Sequence, residues 1–185
     1  QYMTFNKDIA LTEINQEFEN LSNLVLEQID ILNNIFESDL GEGIPEKVLK
    51  KLFKNEEKID QFEIQIEEKI IRTIVLFQPV AVDLRQMFSV YRMVINLERV
   101  GDHVMRVINH IKEIKDSDLL IKTIGMLQQM LKLATKMLNR ALLSFANKDK
   151  SNALWAINKD DDLDNLYYKL LRKSITKSEL PKELH

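Results

Sequence analysis

A chain of 185 residues with 45% apolar and 30% charged side chains can bury one large core or two small ones, and this excludes a disordered chain. The net charge of -3 gives no general attraction to nucleic acid, and the lack of cysteine excludes disulfides, thiolate chemistry and cysteine-based zinc sites. With only 4 Gly and 3 Pro, and no apolar run near the roughly 18 residues of a membrane span, the composition predicts long helices in a soluble, cytoplasmic protein. Nothing at the start reads as a signal peptide, and the opening Gln1-Tyr2-Met3 reads as a tag remnant or a trimmed beginning.

Five helical stretches follow in chain order. The first is predicted over 8–38, where Ile14, Phe18, Leu21, Val25, Ile29, Leu32 and Phe36 recur every three to four residues. Gly41 to Pro45 form a turn, and Pro45 suits the first turn of a second helix running to Phe77. That helix carries Leu49, Leu52, Ile59, Ile66, Ile70 and Ile74, interrupted by Glu56 and Glu63. Pro79 breaks the chain before a third helix over 80–114, in which Gly101 is the weakest link and a place for a bend. Asp116 to Asp118 lead into a very apolar fourth helix over 119–146, and a fifth covers 151–173. The tail from Ser178 to Pro181 does not read as packed structure.

The fourth and fifth stretches partly repeat the first and second, so that Asp160 and Asp164 correspond to Glu56 and Asp60. The predicted organisation is a three-helix unit over 8–114 followed by a partial, two-helix unit over 118–175. Two helices alone bury their apolar face poorly, so the second unit is expected to pack on the first, on a partner or on a further helix.

Candidate functional residues are carboxylates that interrupt apolar stripes. Glu98 and Asp102 follow Met87, Tyr91 and Val94, while Glu56 and Asp60 flank Ile59. Residues four apart share a helix face, and two acids at that spacing repel. An inward carboxylate costs several kcal/mol unless it is paired, protonated or metal-bound, so a compensating positive charge is expected. Two such pairs on packed helices offer oxygen ligands of the kind that suit Fe, Mn, Mg or Zn. Arg85, Arg92 and Arg99 offer the alternative of ion pairing, and a solvated acidic face is the third reading. The Glu-x-x-His motif of bundle enzymes is absent, so no catalytic residue is assigned. Gly101, lying between Glu98 and Asp102, is expected to admit a close neighbour or an ion. Trp155, His103, His110 and the methionines read as contact, surface and packing residues.

Two strings then carry a resemblance. Gln78-Pro79-Val80-Ala81-Val82-Asp83-Leu84-Arg85, followed by Leu97-Glu98-Arg99-Val100-Gly101-Asp102, resembles the Q-P-x-A-x-D-L-R and L-E-R-I-G-D signatures of the PhoU family of phosphate-signalling regulators. Asp160, Asp161, Leu163, Asp164 and Tyr167 match the D-x-x-x-D helix of that family's second repeat. The resemblance implies an all-α fold of two tandem three-helix bundles, the second here without its last helix. It implies metal clusters on the bundle surface, with Glu56, Asp60, Glu98 and Asp102 holding one and Asp160 with Asp164 supplying half of another; no organic cofactor is expected. The implied function is non-enzymatic: a negative regulator of the phosphate-starvation response that couples a phosphate ABC transporter ATPase to a sensor histidine kinase. Homo-oligomers, and membrane association only through partners, go with it. Modulation of a low-affinity phosphate permease and metal-dependent bundle catalysis are the alternatives.

Overall fold

A computed structural model describes residues 2–38, 43–113 and 117–177. All of its regular structure is helical: α1 (Tyr2–Glu37), α2 (Glu46–Phe77), α3 (Ala81–Glu113), α4 (Ser117–Asn147), α5 (Lys150–Asn158) and α6 (Asp160–Lys177). The expected tail at Ser178–Pro181, together with Gly41 and Asp116, lies outside the described residues.

Helix ends follow local chemistry. Pro45 occupies the cap position of α2, and its carbonyl accepts from the amides of Val48 and Leu49 at 2.9 and 3.2 Å. The other end of α2 closes on Gln78 in the left-handed conformation (φ 43), its amide donating to the Ile74 carbonyl, and Pro79 then prevents continuation. Asp149 caps α5 by accepting from the Ser151 amide at 2.9 Å, and these bonds hold its carboxyl below the usual carboxylate range.

The chain divides into two compact units. The first contains α2, α3 and all of α1 but its last residues; the second contains α4, α5, α6 and the last residues of α1. Both are helical bundles, with α5 and α6 together taking the place of one helix. In the first unit the predicted stripe of α1 is buried from Ile14 to Leu32, with Leu52, Ile59, Ile66 and Ile70 of α2 and Met87, Val90, Val94, Leu97 and Ile108 of α3. Ion pairs close its edges: Lys69 reaches Glu17 at 2.7 Å and Glu13 at 3.1 Å, Lys51 reaches Glu27 at 2.6 Å, and Lys7 reaches Asp83 at 2.7 Å.

The second unit packs less tightly. Gln128 donates to the Phe36 carbonyl at 2.6 Å, Lys132 pairs with Glu37 at 3.0 Å, and no described side chain of α4, α5 or α6 is fully buried. Trp155 is clasped by Lys136 and Arg140, at 5.1 and 4.3 Å from its ring centre, so it serves as a cation–π contact. The expected single helix over 151–173 is interrupted at Lys159, whose amide folds back onto the Ala156 carbonyl. α3 runs unbroken through Gly101. Among the described residues no helix is long and apolar enough to cross a membrane.

Candidate functional site

The two carboxylate pairs of the first unit are brought together. Helical spacing puts Glu56, Asp60 and Glu63 along one side of α2, and the packing of α3 sets Glu98 and Asp102 opposite them. Glu56 is the most tightly held: its Oε2 accepts from Nε2 of Gln28 at 2.6 Å. Gln28 comes from α1 and is fully buried, with its Oε1 left without a partner. Close approach is made possible by Gly101. A Cβ there would meet Glu56 Oε2 and Ile59 Cδ1, both at 3.3 Å, so this glycine admits the neighbouring helix.

Crowding like charges at a half-buried seam makes ionisation harder. Burial pushes the Glu56 carboxyl up to about 7; the Gln28 hydrogen bond opposes this, while a hydrogen bond with Asp102 and the charges of Asp60 and Asp102 reinforce it. Burial followed by the Asp102 charge raises Asp60 and Glu98, and burial followed by the Glu98 charge raises Glu63. One ion pair touches the group among the described residues, Arg106 to Asp102 at 3.5 Å. Arg85, Arg92 and Arg99 are exposed; of them Arg99 lowers Glu98 through its charge.

The expectation of Fe, Mn, Zn or Mg held in carboxylate clusters is corrected by this geometry. Among the described residues no group of three or more His, Asp or Glu side chains is arranged to hold a metal ion. Glu56, whose carboxyl burial pushes up to about 7, is engaged instead by the Gln28 amide. Asp160 and Asp164 are exposed, and the break at Lys159 makes Asp160 the first residue of α6. Acids in a first helical turn stabilise the positive end of the helix, which accounts for Asp160, Asp161 and Asp162 there.

His103 and His110 are exposed. Gln28 was missed by the pattern of acids, although an amide amid Val25, Ile29 and Leu32 is itself a signal, because a buried amide needs a polar neighbour.

The profile of the PhoU domain matches twice, over residues 18–111 and 127–184. The chain belongs to the PhoU family. Its sequence is 30% identical over 166 residues to a phosphate-specific transport system accessory protein PhoU homolog of Aquifex aeolicus, covering 90% of this chain and 72% of that protein. A homolog of the same description from Streptococcus pneumoniae is 31% identical over 169 residues, covering 91% of this chain and 75% of that one. Two crystal structures agree. PhoU from Pseudomonas aeruginosa superposes with a TM-score of 0.77 at 26% identity, over 91% of this chain and 78% of that one. The phosphate transport system regulatory protein PhoU from S. pneumoniae gives 0.78 at 29%, over 92% and 77%. The PhoU signature strings occupy the α2–α3 turn and the seam: Gln78 to Arg85 span the turn, and Leu97 to Asp102 supply α3's side of the acid group.

Proposed function

We propose that this PhoU-family chain is a cytoplasmic negative regulator of the phosphate-starvation response. It would couple a phosphate ABC transporter ATPase to a sensor histidine kinase, with the α2–α3 acid seam as a docking face. The family match across both repeats supports regulation of phosphate transport. The observation that carries the docking face is the gathering of Glu56, Asp60, Glu63, Glu98 and Asp102 beside one weak ion pair among the described residues. An acid cluster so little compensated attracts a basic surface, and pairing relieves the repulsion within it. Binding that differs between two states of the transporter then changes what remains available to the kinase.

The half-exposed apolar side chains of α4–α6 support self-association as part of this reading. Sedimentation equilibrium that returns only monomer across the micromolar range removes that part.

Cells lacking their own regulator provide the functional test. A starvation-responsive reporter in phosphate-replete medium is expected to be silenced by this chain and to stay on with Asp60→Lys plus Asp102→Lys. A reporter left on by the unaltered chain rejects the regulator, and full silencing by the double variant rejects the seam.

A further inference from the structure

The opposite character appears at the α2–α3 turn. Val75 and Leu76 at the end of α2, and Val80 and Val82 at the start of α3, are 69, 51, 70 and 73% exposed. Four aliphatic side chains so open, gathered on either side of one helix–helix turn, form an apolar patch. Nothing local requires them: the αL turn at Gln78 and the proline after it close the hairpin through the backbone.

Along the α2–α3 hairpin, charge near the tip is mostly basic. Between Glu68 and Glu98 the sequence holds a single carboxylate, Asp83, beside Lys69, Arg72, Arg85 and Arg92. Asp83 is already neutralised by Lys7 at 2.7 Å, and Lys69 by Glu13 and Glu17. Arg72, Arg85 and Arg92 are exposed. Arg72 lies five residues before the last residue of α2, and Arg85 four after the first of α3. At about 1.5 Å per residue, both guanidinium-bearing positions stand about 6 to 8 Å behind the tip.

That spacing fits one kind of partner. Segments that rest in a membrane interface bury apolar side chains about 5 to 10 Å deep, with basic residues at the level of the phosphates. We propose that the α2–α3 tip inserts Val75, Leu76, Val80 and Val82 into an anionic lipid surface, with Arg72 and Arg85 on the headgroup phosphates. This contact is direct, unlike the partner-mediated association that the family resemblance implies. It would also hold the chain at the membrane where a transporter and a membrane-bound kinase are found.

Co-sedimentation of the full 185-residue chain with protein-free vesicles tests it. Phosphatidylcholine vesicles with and without phosphatidylglycerol are compared. Binding is expected only with phosphatidylglycerol and is expected to weaken with salt. Val80→Ser with Val82→Ser, and separately Arg72→Gln with Arg85→Gln, are each expected to lower apparent affinity at least about tenfold. All four positions are exposed, and unchanged helical circular dichroism verifies that each variant is folded. Absence of binding to anionic vesicles overturns the proposal, as does undiminished binding by the valine variant. Capture only by vesicles containing the transporter overturns it too, in favour of a protein cleft. No partner protein is present in the protein-free arm, so failure there leaves the regulator reading standing.

Discussion

The two units are written in the same helical pattern and packed to different depths. In the first, α1, α2 and α3 each turn a stripe toward the other two, and Leu21, Leu52, Ile59, Ile66 and Val90 lose all contact with solvent. In the second, α4 carries an equally apolar stripe, yet Leu127, Leu131, Leu138 and Leu142 remain half-exposed among α4, α5 and α6. An apolar stripe states that a helix can be buried; burial itself takes a third surface. The same contrast separates the acids. Glu56 is forced against Gly101 by a packed neighbour and has an elevated pKa, whereas Asp160 stands in water at a helix start.

Matched core truncations give the largest contrast. Ile59→Ala is expected to cost about 2 to 5 kcal/mol in the first unit, and Leu138→Ala no more than about half as much in the second. Native-state hydrogen exchange reads each unit separately. Equal losses would show that the two units share one cooperative core.

The two helical glycines sharpen the comparison through opposite signs. Gly101→Ala places a methyl group 3.3 Å from Glu56 and from the fully buried Ile59, while nothing lies within 4 Å of a Cβ at Gly125. Overpacking at Gly101 outweighs the gain in helix propensity, for a net loss of about 1 kcal/mol; Gly125→Ala gains up to about 1 kcal/mol. Thermal denaturation of the two variants checks the signs.

Acid substitutions give the smallest effect and the one that depends on pH. Glu56 has a folded pKa of about 7, above its unfolded value of 4.5, so between these values the folded chain binds more protons. Its contribution is therefore lost as pH rises through 7, and the ionised seam is the less stable one. Glu56→Gln mimics the protonated group, and is expected to flatten this slope and stabilise the chain at pH 8, by on the order of 1 kcal/mol after solvent screening. Asp160→Asn is expected to destabilise α6 by about 0.3 to 1 kcal/mol through the helix dipole. Denaturant midpoints at about pH 5 and pH 8 separate the two.

Periodicity carried most of the fold. The stripe from Ile14 to Phe36 predicts most of α1's buried face, missing Ser22, Gln28 and Ile35, and Pro45 and Pro79 mark the bounds of α2. It misses the break at Lys159 because no glycine or proline signals it: the helix ends on a backbone turn, and acids restart it. The acid seam was legible as two i,i+4 pairs, but depth was not, since a shallow groove and a dry interior share the same spacing. The metal expectation came from the paired carboxylates as well as the resemblance; it failed because no three acids or histidines among the described residues are arranged to hold an ion, an arrangement that spacing along a helix does not determine.

Calorimetric titration of the chain with the purified transporter ATPase, at several pH values, tests the docking seam most directly. A basic surface lowers the Glu56 pKa, so binding releases a proton and is expected to weaken as pH falls below about 7. Asp60→Lys with Asp102→Lys is expected to weaken it at least about tenfold. Binding indifferent to both pH and charge reversal would contradict a docking role for the seam.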